Sequence, residues 1–205
     1  KEGADRMTEI ELASNMVELR DTSFSMSYAD GTRTDVIYQE AAAQLGLPLS
    51  IAPKALADPT LLSGGYSFVG GAKNLLNRLT RMDGINWTIQ DGVLQLLKAN
   101  EPISMNCYEL NAGSGLIGIP KRVNISAGSG SSKGGSETAD SGSESAQLGW
   151  EVTYLMNLAI GVNSYIHISS EAVNGYFRVQ KISIEGDNYE GDFLCNATVL
   201  EVTGA

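Results

Sequence analysis

The stretch Val173–Asp187, VNGYFRVQKISIEGD, restricts the fold of this chain more than any other segment. Asparagine and glycine both tolerate positive φ, so the dipeptide Asn174-Gly175 predicts a tight turn. The turn would fold Ser164–Val173 back onto Tyr176–Ile184. The sequence therefore predicts a β-hairpin at this position.

The second strand of this hairpin changes the parity of its apolar residues part-way along. The apolar residues expected to point inward have odd sequence numbers in the first half of the strand and even ones in the second: Phe177, Val179, Ile182 and Ile184. A bulge near Gln180-Lys181, or burial on both faces, would produce this change. Either favours a small closed barrel over a flat sheet.

The whole C-terminal half, residues 101–205, lacks a helical period. Glycine and asparagine turns separate seven strand-like segments: Met105–Leu110, Leu116–Ile119, Lys121–Ile125, Leu148–Met156, Ser164–Ser170, Tyr176–Ile184 and Phe193–Val202. So many short strands predict a β-barrel-like domain. Residues 126–146 are almost all Ser and Gly, which predicts a flexible insertion between barrel strands.

Residues 34–100 alternate helical and strand patterns. Val36, Ile37, Ala41 and Leu45 predict one helix, capped by Thr32 and stopped by Gly46, and Ala72, Leu75, Leu76, Leu79 and Met82 predict a second that ends at Gly84. Asp91-Gly92 predicts a hairpin turn. This segment is predicted to be a small two-helix α+β module.

Residues 1–33 contain two alternating segments, Met7–Ala13 and Ser23–Tyr28. They predict β-strands that complete a preceding β domain, so that the chain is a piece of a longer or processed protein. The predicted fold class is α+β, with these strands, the module at 34–100 and an antiparallel barrel-like domain at 101–205.

The charge is acidic and uneven. The net charge is −10, and residues 101–205 carry 5 Lys/Arg against 12 Asp/Glu. Such a balance disfavours nucleic-acid binding, suits solubility, and also suits a channel that passes DNA without holding it. No apolar run approaches the roughly 20 residues needed to cross a bilayer, which predicts a soluble chain without a membrane segment.

Candidate chemical groups are few. The only histidine, His167, is expected to face solvent or a polar neighbour rather than act in catalysis. The cluster EGDNYEGD offers oxygen atoms from Glu185, Asp187, Asn188, Glu190 and Asp192, yet it lacks the full spacing of a calcium loop and is read as a hairpin turn. Cys107 and Cys195 match no zinc spacing; a disulfide stays open, and two buried free thiols are expected. We predict no catalytic residue, metal or cofactor.

An ordered set of residues resembles the C-terminal part of the baseplate hub proteins of contractile-tailed bacteriophages. It comprises GLIGIPKR at Gly115–Arg122, then Leu155, Asn157, Asn174, Gly175, Tyr176, Arg178, Val179, Gly186 and Asp187, with further similarity over Gly65–Leu97. Leu158 stands where the family often has proline after the corner asparagine. The resemblance rests on the order of these residues along the chain and not on any single motif.

The resemblance implies a virion protein of the tail baseplate, assembled in the host cytoplasm. Such hubs form a threefold ring that joins the tail tube to a trimeric cell-puncturing spike, with the barrel domains continuing the wall of the DNA conduit. It implies a homotrimer that also contacts tail tube, spike and other baseplate proteins.

Two other functions stay open at this stage. The module at 34–100 also resembles the small periplasmic domains of secretins and TonB-linked receptors, which would make the chain a binding module of an envelope machine. A tail-associated cell-wall hydrolase would depend on His167 or Glu151.

Overall fold

A computed structural model of the chain describes residues 16–125, 147–186, 191 and 193–202. Its contacts form two compact units. The first holds the residues up to Ile51 together with Ala55–Leu96, and the second holds Ala52–Lys54 and the residues from Leu97 onward. The predicted strand at Met7–Ala13 and the predicted insertion at 126–146 lie outside the described residues.

From residue 16 onward, where its description begins, the first unit combines three helices with two small sheets. Its elements are α1 (Met16–Asp21), β1 (Ser23–Tyr28), α2 (Thr34–Leu45), β2 (Leu49–Ile51), β3 (Tyr66–Gly71), α3 (Ala72–Asp83), β4 (Asn86–Gln90) and β5 (Val93–Leu97). One sheet pairs β1 with β3, and the other has the order β2-β5-β4. The strand at Ser23–Tyr28 therefore pairs inside this unit, antiparallel to Tyr66–Gly71.

The helices follow the predicted periodicity with local differences. In α3, Ala72, Leu75, Leu76 and Leu79 are buried as expected, whereas Met82 is exposed. In α2 the buried face includes Tyr38 and Ala42, and Val36 is exposed instead. Gly46 and Gly84 end the two helices at positive φ, where glycine carries no Cβ penalty.

The predicted threonine cap of α2 is wrong. Thr32 donates its hydroxyl to the carbonyl of Ala29 at 2.9 Å, and Arg33 occupies the cap position without a side-chain cap. Arg33 pairs instead with Asp35 in the first turn, at 2.9 Å. The local turn at residues 29–32 competes for the threonine hydroxyl, which removes the cap.

The carboxylate of Asp83 joins three segments of the first unit. It accepts hydrogen bonds from the Thr34 hydroxyl, the Tyr38 hydroxyl and the Thr60 backbone N–H, each at 3.0 Å. Thr34 and Tyr38 are fully buried. Burial, and then the charge of Asp83, raises the pKa of the Tyr38 phenol above its usual range. The end of α3 is thereby tied to the start of α2 and to the loop before β3.

Asp83→Ala should lower the free energy of unfolding by about 2–4 kcal/mol, because it leaves two buried hydroxyl donors without an acceptor. Urea denaturation of the whole chain measures this value. Asp58→Ala removes the same charge from an exposed loop position and should change stability by no more than about 0.5 kcal/mol. Equal losses in the two variants would contradict the assigned role.

The second unit is a six-stranded sheet over one core. Its strands are β6 (Cys107–Leu110), β7 (Leu116–Ile125), β8 (Gln147–Leu155), β9 (Tyr165–Ser169), β10 (Asn174–Glu185) and β11 (Leu194–Glu201). They lie in the order β6-β9-β10-β11-β8-β7. The core collects one face of these strands, together with Ile160 from the segment between β8 and β9: Leu110, Val152, Tyr154, Ile160, Ile166, Ile168, Phe177, Val179, Cys195, Ala197 and Val199.

The bulge predicted in β10 is confirmed. The register between β10 and β11 shifts between Val179 and Lys181. Before the shift Val179 faces Val199, and after it Ile182 faces Ala197. One extra residue thus changes the parity of β10 and keeps Ile182 packed against the core. The expectation that Ile184 is also buried is wrong, because it lies 47% exposed near the end of the strand.

The hairpin between β9 and β10 exists, but the prediction of its turn at Asn174-Gly175 is wrong. Both residues pair within the ladder, opposite Ser169 and Ile168. The turn lies at Ser170–Val173, where Ser170 N–H donates to the Val173 carbonyl at 3.0 Å and the Ser170 hydroxyl accepts the Val173 N–H. The serine side chain supplies the turn chemistry that the sequence attributed to Asn-Gly.

The second predicted hairpin turn is confirmed. Asp91 and Gly92 both have positive φ, at 51° and 74°, as a type I′ turn between β4 and β5 requires.

The prediction of a closed barrel is wrong. The sheet is open, and its two edge strands, β6 and β7, are not paired with each other although they follow one another in the chain. The register of β7 against β8 shifts between Ile117 and Lys121. Gly118 has positive φ there, and Pro120 lacks an N–H donor. A register shift and a proline are features that limit further pairing of an edge strand, which agrees with the open sheet.

Candidate functional site

The side of the six-stranded sheet away from its core is the candidate functional surface, called here the outer face. On β8, Val152 and Tyr154 are buried in the core, whereas Thr153 and Leu155 point the other way. Side chains alternate along a strand, and residues that face each other in the ladder point to the same side of the sheet. The residues of β7, β10 and β11 that are in register with Thr153 and Leu155 therefore also lie on the outer face.

One end of the outer face carries exposed apolar side chains, called here the apolar rim: Ile117, Ile119, Leu155 and Leu158. Phe193 is also exposed, but it has the parity of the core residues Cys195 and Ala197 and so lies on the other side of the sheet. The registers bring them together, because β7 begins, β8 ends and β11 begins at this end of the sheet. Ile119 is 68% exposed and Leu158 74% exposed. Several exposed apolar side chains at one end of a sheet make this end the candidate for an interaction surface.

Backbone contacts hold the rim in place. Leu155 N–H donates to the Gly115 carbonyl at 2.9 Å, and Met156 N–H donates to the Phe193 carbonyl at 2.9 Å. Gly115 has a φ of 102°, and a Cβ there would lie 3.3 Å from the Leu155 Cβ. The close approach of these strand ends therefore needs glycine.

The corner after β8 presents Leu158. Asn157 accepts the Ala159 N–H through its side-chain oxygen at 3.1 Å, and Ile160 N–H donates to the Asn157 carbonyl at 3.2 Å. The asparagine closes this corner by itself, so proline is not needed at the next position. Leu158 is left pointing into solvent as part of the rim.

The middle of the outer face is polar. The Thr153 hydroxyl donates to the Asn196 side chain at 2.7 Å, and Lys121 lies opposite Glu151 in the ladder. These groups interrupt the apolar surface and confine the rim to one end of the sheet.

The other end of the outer face carries an aromatic stack. The rings of Tyr165 and Tyr176 are stacked with centroids 5.4 Å apart, and the His167 ring lies 4.7 Å from Tyr176. His167 Nε2 lies 3.1 Å from the Asn174 side-chain oxygen. The expectation that His167 meets a polar neighbour is confirmed.

The two residues considered for hydrolysis are not brought together. His167 lies on β9 and Glu151 on β8, with β10 and β11 between them. Three strand spacings separate the two strands by about 14 Å. A direct hydrogen bond between the two side chains would require a much shorter distance.

The acid cluster EGDNYEGD falls largely outside the described residues. Only Glu185, Gly186 and Gly191 of this segment are described. Within the part of the chain that the structure describes, no group of three or more His, Cys, Asp and Glu side chains could hold a metal ion. In the same part, no helix is long and apolar enough to span a membrane.

The cysteines differ in environment. Both are unpaired, and Cys195 is buried in the core as expected, but Cys107 is exposed, so the prediction of two buried thiols is wrong. Cys107 begins the edge strand β6, where no further strand covers it. Partial burial, and then the charge of Glu109, raises the pKa of its thiol.

Glu101 is a structural anchor that no sequence pattern predicts. Its carboxylate is almost fully buried and accepts the backbone N–H groups of Lys54 at 2.6 Å and Lys98 at 3.2 Å. A cavity of about 210 Å³ lies beside it, lined also by Met105, Tyr165 and Val202. A glutamate in a polar linker has no pattern that reveals such long-range partners.

No protein-family model and no curated protein matches the chain. Two solved structures share its fold. One is the 43 kDa tail protein of prophage MuSo2 from Shewanella oneidensis, with a TM-score of 0.56 and 11% identity over 91% of this chain and 68% of that one. The other is a tail protein from Neisseria meningitidis MC58, with a TM-score of 0.52 and 9% identity over 89% of this chain and 71% of that one. At such identities the likeness shows a common fold.

The exposure of the rim predicts a specific pattern of stabilities. Ile119→Ser and Leu158→Ser should change the free energy of unfolding by no more than about 0.5 kcal/mol, because both side chains lie in solvent in the single chain. Ile166→Ala, in the core, should lower it by about 2–5 kcal/mol. Urea denaturation at low protein concentration compares the three, and a large loss for the rim variants would show that the rim packs within the chain.

Proposed function

We propose that this chain is a non-enzymatic structural component of a bacteriophage tail. The observation that carries the proposal is the fold shared, over about nine-tenths of the chain, with two proteins described as tail proteins. The ordered set of hub-like residues from Gly115 to Asp187 supports the same class of protein. A shared fold together with an ordered residue pattern is stronger support than either alone.

Within the tail, we place the chain in the baseplate hub, as part of a trimeric ring between the tail tube and the cell-puncturing spike. A ring needs two different surfaces on each copy, so that each subunit contacts a neighbour on either side. Among the described residues, β6 and β7 are the edge strands of the open sheet, and the apolar rim offers a hydrophobic surface beside β7. These are the features that a ring subunit would use.

The acidic balance suits a subunit that lines a DNA conduit. The chain carries 24 Asp and Glu against 14 Lys and Arg. Like charge repels the phosphate backbone, so such a wall would let DNA pass without retaining it. Tail tube protein, spike protein and other baseplate proteins are the partners in this proposal, with the tail baseplate of the virion as its location.

The ring proposal predicts concentration-dependent association that depends on the rim. Sedimentation velocity of the whole chain at rising concentration should show a trimer. The double substitution Ile119→Glu and Leu158→Glu should weaken it, because burying two carboxylates at an apolar contact is unfavourable. Val69→Glu, an equally exposed apolar position in the first unit, is the matched control and should leave association unchanged. A protein that stays monomeric at every concentration and binds neither tube nor spike protein would overturn the proposal.

The non-enzymatic part of the proposal has its own test. The whole chain should release no soluble fragments from purified peptidoglycan, and His167→Ala and Glu151→Ala should match the wild type. Lysozyme serves as the positive control. Peptidoglycan cleavage by the wild type that either substitution abolishes would establish the hydrolase instead.

A further inference from the structure

Arg178 occupies an unusual position on the outer face of β10. It lies between Tyr165 on β9 and Leu200 on β11 in the ladder, and both of these side chains are buried. One terminal nitrogen donates to the Asn163 side-chain oxygen at 3.1 Å. Asn163 is itself only 4% exposed. The guanidinium is therefore partly buried and held by a neutral amide.

No carboxylate of the described chain neutralises this charge. Among the described residues the ion pairs are Arg20–Asp21 and Arg33–Asp35, both in the first unit. The Nε atom of Arg178 is buried and has no hydrogen-bond acceptor. The side-chain oxygen of Gln180 is also buried, and it has no hydrogen-bond donor. Burial alone lowers the pKa of the Arg178 guanidinium. A desolvated charge without a counter-ion is a cost that the single chain bears unrelieved.

The surroundings of Arg178 have the composition of an interface centre. The exposed Tyr176 lies two residues before it on the same face and stacks on the buried Tyr165, and His167 extends the stack. Tyrosine and arginine are the residue types over-represented where binding energy concentrates in protein interfaces. A carboxylate brought to such a partly dry site forms a charge-assisted hydrogen bond much stronger than one in water.

We propose that Arg178 is an assembly residue that receives an aspartate or glutamate carboxylate from a second copy of this chain. Charge complementarity selects this occupant, because each copy has ten more acidic than basic side chains and Arg178 lacks an acidic partner in its own described chain. The inference rests on the self-association in the proposed function, and it adds the group that stabilises the contact.

The test compares folding with association. Arg178→Met removes the charge and keeps the length of the side chain. It should change the melting temperature only slightly, since removing an unpaired charge from the fold opposes the loss of the hydrogen bond to the buried Asn163. It should weaken the association constant by about thirtyfold or more in sedimentation equilibrium, since a carboxylate is then left unpaired at the interface. Arg178→Lys should recover part of the association.

Arg81→Met is the matched control, because it removes the same charge from an exposed position on α3. It should leave both quantities unchanged. If Arg178→Met lowers the melting temperature and associates like the wild type, Arg178 serves the fold and the inference is overturned. A wild type that does not associate would instead overturn the ring proposal, together with this inference. Association of the wild type only on added duplex DNA would assign the site to phosphate and also overturn it.

Discussion

The second unit depends on the antiparallel contact between β10 and β11, which lies at the centre of its sheet. Val179 faces Val199 before the bulge and Ile182 faces Ala197 after it, so both halves of β10 present apolar side chains to one core. Without the extra residue, the second half of β10 would turn its polar side chains inward and its apolar ones to the outer face. The neighbouring strands β8 and β9 take their registers from this pair, and the outer face is defined by the same alternation.

An open sheet also determines where this protein can interact. The irregular strand β7 does not pair with β6, so two strand edges stay available, and the rim places apolar side chains next to one of them. At the other end of the outer face, Arg178 adds a charge that its own described chain leaves unpaired. A protein that worked alone would gain stability by closing the edge, covering the rim and pairing the arginine. These three features are the ones on which the proposed role in an assembly rests.

Local patterns in the sequence predicted much of this architecture and failed at identifiable places. The faces of α2 and α3, the Asp91-Gly92 turn and the β10 bulge followed from periodicity and turn chemistry, which depend on neighbouring residues. The Asn174-Gly175 turn failed because Ser170 closes the hairpin earlier, and the Thr32 cap failed because Ala29 accepts the hydroxyl. In both cases two nearby groups competed for the same hydrogen bond, and composition cannot rank them.

The sequence by itself determined the α+β class, the strand-rich second half and the change of parity in β10, because each is set by the spacing of apolar residues along the chain. Only the tertiary structure decided that the sheet stays open, that Leu158 and Ile119 share one exposed rim, and that Asp83 and Glu101 anchor distant segments. Whether an apolar strand-end residue is core or surface depends on what packs against it. That depends on residues far away in the chain, which spacing does not reveal.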